Sequence, residues 1–204
     1  MRASARIYDP IVALGEHRGM RARRSEVLAA ARGATVEIGA GTGLNLRHYT
    51  SSVERLVVAE PDAAMRKVLT RRAEGMERAS VIDAPAERLP FAPGTVDTVV
   101  STLVLCTVGD PRSALREIAR VLAPDGQLLF IEHVRAGSGR RARWQDRLEG
   151  PWAAFASGCR CNRPTLTLMA EEGFELDVSE APWRGMPSIV KPLVYGRAGY
   201  VGRA

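Results

Sequence analysis

Five short apolar runs set the rhythm of this chain: Thr35–Gly39, Leu56–Glu60, Ser80–Asp83, Val96–Thr102 and Gln127–His133. Each reads as a strand. Val96–Thr102 is nearly continuous in its apolar character, as a parallel strand buried on both faces requires. Helix signals fall between the runs. Residues 43–49 open a helix, Asp62 caps one that reaches about Ala73, and Pro111 begins one that runs to about Leu122. Pro124-Asp125-Gly126 is a turn. Strands alternating with helices predict an α/β, doubly wound fold with a seven-stranded, mostly parallel sheet. Residues 138–157 form a helical stretch rich in Arg and Trp, and 164–172 form another helix. Gly173–Glu180 and about Ser188–Tyr200 supply the last two strands, a C-terminal antiparallel hairpin. Before the first strand, Ile11, Val12, Leu14, Val27 and Leu28 mark two short helices broken near Gly15–Gly19. The whole, 1–204, reads as a single domain. It comprises an N-terminal helical cap (1–32), a ligand-binding core (35–135), a helical insert (136–172) and a closing hairpin (173–204).

The first strand ends in chemistry. Glu37-x-Gly39-x-Gly41-x-Gly43 places an acid two residues before three alternate glycines, which let the backbone approach a ligand. A dinucleotide fingerprint is Gly-x-Gly-x-x-Gly, aimed at a pyrophosphate. The spacing here differs, and the Glu37 carboxylate repels phosphate while suiting a cation. S-adenosylmethionine carries a sulfonium and an ammonium and no phosphate, so the loop favours that cofactor over NAD or ATP. Glu60 ends the second strand, where an acid accepts hydrogen bonds from both ribose hydroxyls. Nicotinamide enzymes share that feature, and a solvated strand end would look the same. After the third strand, Ala84–Phe91 exposes backbone groups that can read an adenine edge, with Ala86 keeping the approach close; an ordinary turn is the alternative.

Charge changes the picture little. The net charge is +6 and nearly all basic residues are arginine. The clusters Arg18, Arg21, Arg23, Arg24 and Arg140, Arg141, Arg143, Arg147 leave nucleic acid or an anionic membrane surface open, while an arginine-rich bias with solvated faces is the favoured reading. No RNA-binding motif with interleaved aromatics occurs, so nucleic acid is not an expected partner. Cys106, Cys159 and Cys161 are odd in number, and His17, His48 and His133 are scattered, so neither a disulfide framework nor a metal site is expected. No run of 18 apolar residues and no signal-peptide core appears, and a cytoplasmic location follows.

Taken together, Glu37–Gly43, Glu60, Ala86–Phe91, Val96–Ser101 and Glu117–Gly126 resemble the class I S-adenosylmethionine-dependent methyltransferases, over about residues 35–135. The resemblance implies a Rossmann-like fold with the glycine loop on the methionine end of the cofactor. It puts the acid after the second strand on ribose and the third-strand loop on adenine. The cofactor set is then Glu37, Gly39, Ala40, Gly41, Gly43, Asn45, Glu60, Pro61, Ala86, Glu87, Thr102 and Leu103. A narrower likeness covers about residues 96–170. Ser101–Val108, Glu132-His133-Val134, Trp144-Gln145, Pro151-Trp152, Gly158-Cys159 and Arg163 resemble the membrane-anchored, methyltransferase-like alkyl thiol S-methyltransferases. Those enzymes carry a hydrophobic N-terminal anchor, which this sequence does not show.

On this reading the chain transfers a methyl group to a small molecule, with a thiol or sulfide as the leading acceptor. O- or C-methylation of a phenol or quinol is the alternative. A nicotinamide oxidoreductase and a non-catalytic cofactor-binding or RNA-associated module are further readings from other classes. A thiol ionises near pH 8.5 and needs no strong base, which fits the lack of an obvious catalytic dyad. His133, at the C-terminal end of the fifth strand, is a base, a substrate contact or a structural histidine. Cys106 lies near the expected methyl position or is simply a small buried residue. Trp144, Trp152 and Phe155 wall an acceptor pocket or pack the insert, and Arg163 holds an anionic acceptor group or a carboxylate.

Overall fold

The computed structural model describes residues 5–137 and 139–202, with side chains from residue 8 onward. Seven strands form one sheet: β1 (Gly33–Ile38), β2 (Val53–Ala59), β3 (Ala79–Ile82), β4 (Val96–Thr102), β5 (Leu122–His133), β6 (Phe174–Pro182) and β7 (Pro192–Tyr200). Their order is β3-β2-β1-β4-β5-β7-β6. The first five are parallel, and β7 runs antiparallel to both β5 and β6. This is the expected seven-stranded, doubly wound sheet with its closing hairpin. From β1 the chain winds first toward β2 and later toward β4. The crevice at the C-terminal ends of β1 and β4 is therefore the switch point where such sheets take ligands.

Strand alternation feeds two apolar layers. Along β5, Leu128 and Phe130 pack on one face with Val36, Val99, Leu115 and Ile118. Leu129 and Ile131 pack on the other with Leu28, Leu56, Val58 and Leu69. Six helices cover the faces and ends: α1 (Ala5–Gly15), α2 (Arg21–Leu28), α3 (Ala63–Ala73), α4 (Pro111–Val121), α5 (Gly139–Phe155) and α6 (Thr165–Glu171). Asp62 caps α3 through the N–H groups of Ala64 and Met65, and Asp110 caps α4 through those of Arg112 and Ser113. The break between α1 and α2 falls at Arg18–Gly19, inside a π turn over Glu16–Met20.

Three local expectations differ. The helix predicted over 43–49 is one 3₁₀ turn, Leu46–His48, because Asn45 and Tyr49 turn inward to a buried carboxylate. Pro124–Gly126 lies inside β5, not before it. Leu122 already pairs with Val96, and regular pairing resumes at Gln127 across an irregularity. β7 starts at Pro192, after a 3₁₀ turn over Ser188–Val190.

The segment leaving β4 is shaped by one acid. Glu132 is fully buried in β5. Its Oε1 accepts hydrogen bonds from Ser101 Oγ (2.7 Å) and from the N–H groups of Val104 and Leu105 (3.0 Å each), and its Oε2 accepts from Cys106 N–H (3.3 Å). Arg163 closes the same turn from outside, donating to the carbonyls of Leu105 (2.6 Å) and Val108 (2.7 Å). These bonds hold Leu103 at φ +60°, a conformation that costs a leucine about 1–3 kcal/mol. Glu132→Gln would turn an amide N–H toward backbone N–H donors. We expect the variant to lose about 2–4 kcal/mol in urea unfolding. A loss under about 0.5 kcal/mol would show that Glu132 does not shape the turn.

Candidate functional site

The glycine loop crosses the switch point with Gly39, Gly41 and Gly43 all at positive φ (+54°, +58°, +86°). Two of these serve different ends. A Cβ at Gly39 would lie 2.7 Å from Val104, so this glycine lets the loop touch the β4 exit. A Cβ at Gly41 would meet nothing within 4 Å, so the backbone there faces open space. Glu60 directly follows β2 and is buried. Its Oε2 accepts Gly41 N–H (2.7 Å) and its Oε1 accepts Asp62 N–H (2.8 Å). Neighbouring Arg66 turns away, to the carbonyls of Glu60 and Pro61 and to Asp83. Each Glu60 oxygen thus keeps acceptor capacity, and burial pushes its carboxyl above the usual range. The adjoining Ala84–Phe91 turn is clamped by α4. Glu117 Oε1 accepts Leu89 N–H (2.6 Å), and Arg120 donates to the carbonyls of Phe91 and Leu89. Ala84 and Ala86 are buried, and the nearest donor to Glu87 is Asp110 N–H at 3.5 Å. Pro61 is exposed beside Glu60.

Glu37 sits behind this loop rather than at its mouth. Its Oε1 accepts Asn45 Nδ2 (2.9 Å) and its Oε2 accepts Tyr49 OH (2.6 Å). Asn45 Nδ2 also donates to Thr102 Oγ1 (3.0 Å), and Asn45 Oδ1 accepts from Arg24 (2.7 Å). Arg24 in turn forks onto Glu16, 2.9 Å at the closest. One chain of buried polar groups therefore runs from the N-terminal helices through Asn45 to β1. The direct attraction between Glu37 and a cation, expected from the sequence, is replaced by this internal network. Asp9 of α1 adds a second tie, accepting from Thr42 Oγ1 (2.6 Å) and from Arg72 (2.5 Å). Sequence reasoning missed Arg24, Glu16 and Tyr49. A signal existed for Arg24: it lies three and four residues before Val27 and Leu28, on the apolar face of α2.

Beyond β4 and β5 lies a buried apolar cluster. Cys106, Cys159, Cys161 and Val190 form a buried cluster with Leu103, Trp152, Ala156, Met186 and Ile189. Leu103 also packs with the layer that contains Ala40 and so joins the glycine loop to this cluster. The sulfurs of Cys106 and Cys159 are 3.8 Å apart. His133 is buried with its ring 5.4 Å from that of Trp183, and its Nδ1 has no partner. Burial holds its pKa down at about 4, only partly offset by the Pro192 and Val190 carbonyls. Tyr8, in electrostatic reach of Cys106, is pushed up to about 12 by burial.

Two predicted wall residues do not join the cluster. Trp144 is 49% exposed and Phe155 59%. The period of α5 turns Ala142 and Gln145 inward and Trp144 outward, where Arg147 lies over its ring. Trp152 remains in the cluster. The residue that anchors the insert is Gln145, whose Nε2 donates to the carbonyls of Val134, Cys161 and Ile189. Arg163 meets backbone carbonyls, neither a carboxylate nor open space. A cavity of about 280 Å³ opens beside Trp183, lined also by Arg18, Arg23, Arg184 and Leu193, and shares no residue with the loop. Among the described residues, no acidic, His or Cys group is arranged to hold a metal, and no helix is long and apolar enough to cross a membrane.

Comparison with known proteins agrees with this geometry. Residues 36–130 match the family described as "Methyltransferase domain". Human thiol S-methyltransferase TMT1B is 32% identical over 198 residues, covering 89% of this chain and 80% of that protein. Demethylmenaquinone methyltransferase from Clavibacter sepedonicus is 29% identical over 125 residues, 61% of this chain and 51% of that one. Among solved structures, a SAM-dependent methyltransferase from Thermotoga maritima superposes with a TM-score of 0.69 at 21% identity, covering 94% and 93% of the two chains.

The Glu37 network carries a pH signature. Burial raises its carboxyl from the ordinary 4.5 to about 7, against the Tyr49 and Asn45 bonds that pull it down. Such a group holds its proton more tightly folded than unfolded. Its stabilising contribution is complete below about pH 4.5 and is lost as pH rises through about 7, a change of about 3 kcal/mol. Comparing urea unfolding of wild type and Glu37→Gln at pH 5 and pH 8 isolates this effect. The difference should move by about 3 kcal/mol in favour of the variant at pH 8. A difference that stays constant would contradict the assignment.

Proposed function

The chain belongs to the class I S-adenosylmethionine-dependent methyltransferases, and on that premise we propose that its methyl acceptor is a small thiol or sulfide. The crevice fits the cofactor. Gly41 offers open backbone, Glu60 has spare acceptor capacity for two hydroxyls, and the arginine that reaches the loop, Arg72 on the Thr42 carbonyl, is already paired with Asp9. In our reading Gly39, Ala40, Gly41 and Gly43, with Thr102 and Leu103, hold the methionine end, backed by Glu37 and Asn45. Glu60 and Pro61 hold the ribose, and Ala86 and Glu87 border the adenine. When bound, the cofactor supplies an electrophilic methyl group on a sulfonium.

The protein must then orient and desolvate the acceptor. One observation carries the thiol reading: among the described residues, the polar groups past β4 that could take a proton from a weak acid are already engaged or neutral. Glu132 already accepts four hydrogen bonds. His133, held at about 4, is neutral at pH 7 and a feeble base. It is buried against Trp183, with its Nδ1 unpartnered. Arg163 is committed to two carbonyls. The acceptor therefore has to ionise unaided. A thiol near pKa 8.5 is about 3% thiolate at pH 7, whereas a phenol near 10 is about 0.1% anionic. The cluster of Cys106, Cys159, Trp152 and Met186 is apolar and sulfur-rich, which suits a lipophilic acceptor. The thiol methyltransferase relative supports this reading. The demethylmenaquinone methyltransferase relative favours the second one, C-methylation of a quinol.

A panel of thiols, sulfides, phenols, quinols and amines, with release of S-adenosylhomocysteine as readout, tests the proposal. Thiols should exceed phenols of similar size by at least about 10-fold in kcat/KM. Turnover of quinols or phenols without thiols would overturn the acceptor assignment and leave methyl transfer intact. In the same preparation, Glu60→Ala should weaken S-adenosylmethionine binding by about 10- to 100-fold with the circular dichroism spectrum retained. Unchanged affinity would remove Glu60 from the site.

A further inference from the structure

Two cysteines in the buried cluster past β4 have their sulfurs in direct contact. Cys106 follows β4, and Cys159 lies in the turn between α5 and α6. Their sulfurs are 3.8 Å apart, and the segments are already joined by Arg160 N–H donating to the Cys106 carbonyl (2.7 Å). The backbones are thus adjacent, and side-chain rotation has to bring the sulfurs to about 2.05 Å for a covalent bond. Ser157 (φ +53°) and Gly158 (φ +95°) form a tight turn just ahead of Cys159, outside any helix. Cys161 belongs to the same buried cluster, and Gln145 holds its carbonyl.

We propose that Cys106 and Cys159 are a reversible oxidation site, at which hydrogen peroxide converts the two thiols into a disulfide that staples the β4 exit to the α5–α6 turn and gates acceptor entry.

Cys159 is the attacking sulfur. It keeps 8% of its surface exposed, whereas Cys106 keeps none. The Cys106 thiol beside it and the Trp152 ring favour its thiolate, against burial. The Cys159 thiol gives up its proton, and the thiolate attacks one peroxide oxygen. The O–O bond breaks and a sulfenic acid and water form. The Cys106 sulfur then attacks the Cys159 sulfur. The S–S bond forms, the S–O bond breaks, and hydroxide leaves as water with the Cys106 proton. Two electrons pass from the thiols to the peroxide. The product staples the β4 exit to the end of the insert, with Leu103 and Trp152 in the same cluster. A thiol acceptor would reverse the bond by exchange, so in this respect the regulation rests on the acceptor reading above, while the disulfide itself does not.

The test treats the fully reduced protein with stoichiometric hydrogen peroxide and counts thiols after denaturation. Three free cysteines should fall to one, with a mass loss of two hydrogens and a Cys106–Cys159 linked peptide. Cys161→Ser should fall from two thiols to none, and Cys159→Ser should keep both. Oxidised wild type should show a lag with a thiol acceptor that prior dithiothreitol removes. Three thiols retained, a gain of oxygen mass in place of the hydrogen loss, or a crosslink through Cys161 would overturn the site. A disulfide that produces no lag would overturn the gating. If no thiol is a substrate, the thiol count alone still decides whether the bond forms.

Discussion

Glu132 takes four hydrogen bonds inside the sheet, and the inner wall of the crevice follows from where those donors are held. A carboxylate buried in a strand is costly unless every lone pair is met. Here it is met by the backbone of the next strand's exit, so Val104, Leu105 and Cys106 must curl back over β5. Leu103 is forced to positive φ as a consequence. That curl brings Val104 against Gly39, which fixes the glycine loop, and Cys106 against Cys159, which fixes the insert. The glycine loop and the insert are thereby both positioned by one buried acid.

A second buried carboxylate, Glu37, does the matching work on the N-terminal side. Its partners Asn45 and Tyr49 draw the chain after the loop inward, and Asn45 passes the connection to Arg24 and Glu16. The N-terminal helices are therefore part of the site's support. Asp9, bridging Thr42 and Arg72, ties them to the loop itself. Both acids are committed to internal hydrogen bonds. Glu60, by contrast, keeps acceptor capacity at the crevice.

Much of this was legible in the chain. Apolar runs and caps located every strand and the major helices, because burial on two faces leaves an unambiguous pattern. The spacing of Glu37, Gly39, Gly41, Gly43 and Glu60 pointed to the switch-point crevice. What sequence could not resolve was direction. Trp144 and Gln145 are neighbours, and only the helix phase shows that the glutamine turns in and the tryptophan out. Arg163 looked like a ligand for an anion, yet its target is a pair of carbonyls exposed by a turn that Glu132 creates. Glu132 itself stood next to His133 and was passed over, although an acid closing the run Leu128–Ile131 already signalled a buried charge needing donors.

The central claim is that the protein supplies position and a dry wall, and that the acceptor supplies its own anion. The pH dependence of kcat/KM for two thiol acceptors of different pKa tests this most directly. The account predicts that the rise in rate follows each acceptor's own ionisation, so the inflection shifts between them by their difference in pKa. An inflection that stays at one pH for both acceptors would reveal a titrating base in the protein and contradict the account.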